Sequence, residues 1–323
     1  MPLKSRRIAT HGISKSAVAV TTLALLTGCG GGGAGSDEGT SLASYQRGFS
    51  VILTEQYNDD GPADGVEVKN YADLQQLYTD LLSGNASMTI GGPDVFASQA
   101  EKGAPIHIAA TISPNSTAIV GKQAIREASD VSGKRVAAIT SSSGGWQLAE
   151  AMLLEEFGLA AGEDYELINV PDMASGASQV VAGTADYVVG WEPSVNAALA
   201  SSEDLVVSYS ASDADEGETF GTGWQLVLAV RDDVDQATED EVVEGLQAAA
   251  EALQSSPDMA DAYGVDFGFA PGTVAGVMDQ SVEPFVIEPI TPEVQQELED
   301  QLALIGGEEG PLDTPSFFYG GGE

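Results

Sequence analysis

Basic residues are scarce in this 323-residue chain: 12 Lys and Arg stand against 50 Asp and Glu. Repulsion from so much negative charge excludes a nucleic-acid partner. Cysteine is scarcer still, with Cys29 alone, so no disulfide framework and no cysteine-based zinc site can form within the chain. The two histidines, His11 and His107, offer no His pair for a metal. A serine hydrolase would have one candidate base, His107, beyond the leader, where a satisfied core or rim histidine is the plainer reading. No phosphate-cradling glycine pattern occurs. The apolar run Ala17 to Leu26 is too short to span a bilayer.

What is there begins with a leader. Lys4, Arg6, Arg7 and Lys15 precede the apolar run, which ends in Leu26-Thr27-Gly28-Cys29, the layout of a targeting segment. This ending resembles the lipobox of exported lipoproteins, which implies lipid on Cys29 and an anchor to the membrane. The other reading is an ordinary signal peptide with a chance cysteine. Ser5-Arg6-Arg7 faintly resembles a twin-arginine signal and Ile8-Ala9-Thr10 departs from it, so the export route stays open. Residues 30–40, GGGGAGSDEGT, read as a flexible tether, and residues 41–323 are long enough for two lobes with separate cores. All 50 acids and 8 of the 12 basic residues follow Cys29, so the processed chain carries 8 minus 50, about −42. The acids are scattered through segments that keep hydrophobic periodicity, which argues against disorder. A dense acidic surface with little lysine suits high salt, where screening removes the repulsion. A halophilic source is the expectation, and a cation-attracting surface at ordinary salt is the alternative.

One grammar repeats along the chain: short apolar strand, Gly- or Ser-containing loop, amphipathic helix. The stretch Gly133 to Trp146, GKRVAAITSSSGGW, places Ser141, Ser142, Ser143 and Gly144 between a buried strand and a helix running to Phe157. Such a junction leaves N–H groups and hydroxyls for a small ligand; the alternative is that the serines only cap the helix. Gln46-Arg47-Gly48-Phe49 repeats the pattern after the first strand. Gly91-Gly92-Pro93-Asp94 repeats it after the third, with Asp94 either a cap or a cleft residue. Tyr187 to Gly190 ends in Trp191-Glu192-Pro193, a binding-type junction unless Trp191 is core and Glu192 a helix N-terminal charge. Ser113-Pro114-Asn115-Ser116 breaks an apolar strand and reads as a crossing between lobes. Gly221-Thr222-Gly223-Trp224 opens a strand that returns to the first lobe. Residues 264–287 are poor in signals and read as irregular packing, and a last helix spans Pro292 to Leu304.

The order of these pieces resembles the SsuA/THI5-like (NMT1-like) family of substrate-binding lipoproteins of ABC importers. The resemblance is carried by Asp130-Val131-Ser132-Gly133-Lys134-Arg135-Val136 with its Ser/Gly loop, by Glu156-Phe157-Gly158-Leu159, and by Gly183-Thr184-Ala185-Asp186-Tyr187 followed by Gly190-Trp191-Glu192-Pro193. The stretch Gly223 to Arg231 and the late helix into Leu304-Ile305-Gly306 carry it further. It implies an α/β periplasmic-binding-protein type II fold, two α/β lobes joined by a two-segment hinge with the ligand cleft between them. Lobe one would hold residues 41–115 and 224–307, lobe two residues 116–223, and residues 308–323 a C-terminal tail. The implied ligand-facing set is Gln46, Arg47, Phe49, Gly92, Asp94, Ser113, Asn115, Ser141, Ser142, Ser143, Gly144, Trp146, Trp191, Glu192, Thr222 and Trp224. The implied partners are a small-molecule ligand and an ABC permease with its ATPase, served by a monomer that needs no cofactor and no metal and catalyses nothing. Family members that make a pyrimidine from their own histidine need particular His and Cys residues that this chain lacks. Donors for an anion are few, with Arg47 near the cleft against Asp94 and Glu192. The three tryptophans and a carboxylate therefore lead to an aromatic or amine-bearing ligand such as a pyrimidine thiamine precursor. A sulfonate, taurine or nitrate ligand is the alternative, as is a sensor role for the same fold.

Overall fold

Apolar runs of four to nine residues alternate with helix-length segments, and this spacing condenses into two layered α/β halves. The structure, a computed structural model, describes residues 39–139, 144–211, 223–279 and 283–305. The first half runs β1 (Ser41–Tyr45), α1 (Ser50–Asp60), β2 (Glu67–Tyr71), α2 (Leu74–Ser83), β3 (Met88–Gly91), α3 (Pro93–Glu101) and β4 (Ile106–Pro114). The second runs β5 (Ala118–Gly121), α4 (Ala128–Val131), β6 (Arg135–Ala138), α5 (Gly144–Phe157), β7 (Glu166–Asn169), α6 (Met173–Ala182), β8 (Tyr187–Gly190), α7 (Ser194–Ser201) and β9 (Val206–Ser210). The chain then returns through β10 (Trp224–Arg231), α8 (Gln236–Ser255), α9 (Pro257–Asp266), α10 (Thr273–Met278) and α11 (Pro292–Ile305).

Each half is a five-stranded mixed sheet, ordered β2-β1-β3-β10-β4 and β7-β6-β8-β5-β9. In both, three parallel strands built by strand–helix–strand units are joined by antiparallel ones. β10 inserts between β3 and β4, pairing Leu228 with Ile90 on one side and with Ala110 on the other. This makes the fold a type II periplasmic-binding-protein fold of two lobes, as the family resemblance implied.

The local chemistry of several elements is visible in the residues that bound them. Asp73, Asp172 and Asp235 accept from the N–H groups of Gln76, Ser175 and Thr238 and so cap α2, α6 and α8. Gly84 and Gly183 end α2 and α6 in the left-handed conformation, at φ 86° and 76°, which a side chain would disfavour. Leu42, Ile52, Met88, Leu228, Leu246 and Phe285 join one core of lobe one. Val136, Trp146, Met152 and Tyr187 join the core of lobe two. His107 lies on the edge strand β4, with Nδ1 3.1 Å from Asp232 and Nε2 2.9 Å from Glu239. It is a histidine satisfied by two carboxylates at the rim, and the stretch read as irregular contains α10, which packs on α9.

The crossings β4–β5 and β9–β10 run side by side. Asn115 N donates to Gly223 O at 2.7 Å, and Thr117 Oγ1 to Gln225 Oε1 at 3.0 Å. From α11, the buried Gln301 amide takes up both backbone groups of Trp224, accepting from its N–H at 2.6 Å and donating to its carbonyl at 2.8 Å. Val294, Leu298 and Leu302 seat the same helix on lobe one, while Ile305 at its end packs against the core of lobe two. Among the described residues, no helix is long and apolar enough to cross a membrane.

Candidate ligand-binding cleft

Four helices start on the cleft. α1 and α3 approach from lobe one, α5 and α7 from lobe two, because each follows a strand whose C-terminal end faces the other lobe. A cavity of about 610 Å³ lies between them, lined by Tyr45, Phe49 and Ser50 from the first junction and by Gly91, Gly92 and Asp94 from the second. Lobe two contributes Gly144, Gly145, Gln147, Trp191 and Glu192, and the crossings contribute Ser113, Ser116 and Gln225. A smaller cavity of about 300 Å³ continues behind the crossings, sharing Phe49, Ser113, Ser116 and Glu192 and reaching Asn115, Val195 and Pro284.

The acids of the cleft are engaged with helix ends. Asp94 sits in the first turn of α3, 7% exposed. Burial lifts its carboxyl to about 6, opposed by hydrogen bonds from its own and the Val95 backbone. The same carboxylate faces Gly144 at the start of α5: a methyl group on Gly144 would overlap Asp94, and one on Gly145 would overlap the Trp191 ring. Gly144 thus lets lobe two close onto lobe one, and Gly145 lets Trp191 of the same lobe lie flat on α5. Glu192 accepts from Asn196 N at 3.1 Å through Oε2, covering the start of α7, while its own N–H donates to Ser116 Oγ at 3.2 Å. By contrast α1 has no side-chain cap and neither α1 nor α5 has an acid in its first turn. The positive dipole ends of these helices favour negative charge, and at α5 the Asp94 carboxylate of lobe one lies against the first residue.

The expected site residues divide in two. Phe49, Gly92, Asp94, Ser113, Asn115, Gly144, Trp191 and Glu192 are brought together on the two cavities. Phe49 stacks on Phe285 at 4.5 Å, and Ser113 Oγ donates to Pro284 O at 2.8 Å. The other eight stand elsewhere or outside the description. Trp146, expected on the cleft, is 1% exposed in the lobe-two core, edge-on to Tyr165 and hydrogen-bonded to Glu150. It is the third residue of α5, so its side chain turns away from the face that Gly144 and Gly145 present. Trp224 is 7% exposed in the lobe-one core, its indole donating to Glu297 at 3.2 Å. Gln46 is tied to β2 through the Asn70 carbonyl, off the cavity. Arg47 is exposed beside Asp172 of lobe two, whose carboxyl it helps hold below the usual range after the hydrogen bonds from Ser175. Ser141, Ser142, Ser143, Thr222 and Cys29 lie outside the described residues.

Sequence reasoning missed Tyr45, Ser50, Ser116, Gly145, Gln147 and Gln225 as cavity residues. Each stands one or two positions from a chosen residue, so the junctions were legible and the facing side chain was not. Nothing in the pattern pointed to Tyr78 or Ile305, which reach the cavity from the middle of α2 and the end of α11.

Residues 64–260 match the family model described as NMT1/THI5 like. No curated protein matches the sequence. Among solved structures, the chain is similar to the periplasmic aliphatic sulphonate binding protein SsuA from Escherichia coli, at 16% identity and a TM-score of 0.73, covering 88% of this chain and 92% of that one. An ABC transporter structure from Parabacteroides distasonis is similar at 15% identity and a TM-score of 0.71, covering 88% and 100%. The alkanesulfonate-binding protein SsuA from Xanthomonas axonopodis pv. citri, bound to MOPS, is similar at 18% identity and a TM-score of 0.65, covering 82% and 91%. At these identities the likeness concerns the fold.

Proposed function

We propose, from the premise that this chain belongs to the NMT1/THI5-like family of ABC-transporter solute-binding proteins, that it captures a small organic anion, a sulfonate foremost, outside the cytoplasm. It hands that solute unchanged to a permease and its ATPase, and it is a binding protein, not an enzyme. The observation that carries the ligand class is the pairing of α1 and α5: two helix N-termini from opposite lobes, without acids in their first turns, open on one cavity. Ser50 and Ser116 line the same cavity. An anion touching both helix ends is bound best when the lobes are together, which is how a ligand draws such a protein closed.

The aromatic or amine-bearing reading leaned on three tryptophans, and Trp191 is the one of them on the cavity. What favours it still is the buried Asp94 carboxylate, a natural partner for an ammonium group. Isothermal titration against ethanesulfonate, taurine, nitrate, a hydroxymethylpyrimidine and an alkylamine separates the readings. The sulfonates bind tightest on the anion reading, and preferential binding of the pyrimidine or the amine would reverse it. Cys29, in its lipobox, is proposed as the lipid-bearing residue; Cys29→Ser then moves the protein from the membrane fraction to the soluble one with ligand affinity unchanged.

A further inference from the structure

We infer that the outer arm of the large cavity, a groove between α2 and α3, is a channel for an extended alkyl tail, so that the preferred solute is an amphipathic anion rather than a two-carbon one. This rests on the anion reading of the cleft for its head group and on the groove alone for its tail. The cavity of about 610 Å³ belongs with pockets that enclose drug-sized molecules, roughly 300–1,000 Å³, and nitrate or ethanesulfonate would leave most of it empty. Its arm is continuous with the cleft and leaves it past Asp94.

Leu74, Tyr78 and Leu82 recur every fourth residue along α2, and all three line this arm, each half-buried. Residues four apart share a helix face, so they form one ridge, about 12 Å long at the helical rise, the reach of a chain of roughly eight to ten carbons. The Tyr78 hydroxyl is hydrogen-bonded to the Gly92 backbone and its ring packs edge-on against Phe96 at 5.7 Å, so the part of the ring that lines the groove is held in place. Val95 and Ser98 of α3 form the facing wall, and Ile305 of α11 closes the rim. Charge singles the arm out as well. Gln75, Thr79 and Gln99 complete its sides together with Lys102, whose Nζ donates to Ser98 Oγ at 3.0 Å, and among the described residues its lining holds no acid beyond Asp94 at the inner end, in a chain with 50. Apolar side chains left half-open on a nearly acid-free strip of an otherwise acidic surface mark a place where something apolar is received.

The test is titration calorimetry of the full chain with ethane-, butane-, hexane- and octanesulfonate, all below their micelle concentrations. Ethanesulfonate reports the head site. Burial of each added methylene tightens binding about two- to fourfold, levelling off once the ridge is spanned. Two variants act on the groove in opposite ways, Leu82→Gln by removing apolar wall and Ser98→Phe by filling the space, and both flatten the dependence on chain length. Equal affinity for ethane- and octanesulfonate would overturn the channel and leave the head reading standing. No binding at any length would overturn both. A steep dependence that survives in both variants would place the tail elsewhere and also overturn the channel.

Discussion

Asp94 lies where two helix ends meet across the cleft, and burial lifts its carboxyl to about 6. A permanently charged anion bound beside it disfavours the carboxylate and raises that value further. Binding then takes up a proton, so affinity is flat below pH 6 and falls as pH rises from there, by up to about tenfold per unit. An ammonium ligand lowers the value instead, and its affinity climbs with pH up to about 6 and then levels. Titrations at pH 5, 6, 7 and 8 therefore read the sign of the guest directly, and Asp94→Asn should flatten either profile. Residue by residue, the cleft was half legible. Strand ends followed by Gly, Ser or Pro marked the junctions, because backbone exposed between a strand and a helix needs those residues. Which side chain of a junction turns inward depends on helix phase. Trp146 and Gly145 are neighbours on α5, and the ring goes to the core while the glycine goes to the cleft.

At the scale of elements, α5 is built to be approached. Gly144 and Gly145 let Asp94 and Trp191 rest against its first turn, and no side chain can be added there without moving one of them. Gly145→Ala should displace the Trp191 ring, seen as a shift in its fluorescence, and weaken ligand binding about tenfold or more, while the fold holds because alanine favours the helix. Unchanged fluorescence and affinity in this variant would mean that the two surfaces do not meet in solution. Strands and long helices were legible from apolar spacing, as the last helix shows, read over Pro292 to Leu304 and found over Pro292–Ile305. The role of α11 was not. Its pattern predicts a helix, but nothing in residues 292–305 says that Gln301 will clasp Trp224 some 77 positions away, or that Ile305 will touch the other lobe. Long-range pairing of this kind leaves no periodic trace.

For the whole molecule, charge is the outstanding property. Thirty-eight net negative charges on the full chain repel one another across both lobes, and salt screens that repulsion beyond roughly 10 Å at 0.1 M and 3 Å at 1 M. Thermal unfolding followed by intrinsic fluorescence should show the midpoint rising by several degrees from 0.1 to 2 M sodium chloride; a midpoint independent of salt would remove the inference of a saline habitat. The path of the chain also sets an order of assembly. Lobe two is continuous, residues 118–210 supplying all five of its strands, whereas the sheet of lobe one lacks the strand between β3 and β4 until β10 arrives, more than a hundred residues after β4. As the polypeptide is made from its N-terminus, β1 to β4 emerge first and have no finished sheet to join. The half that is made second is the half that can complete its fold first, and the earlier half must be kept from aggregating until that strand is delivered.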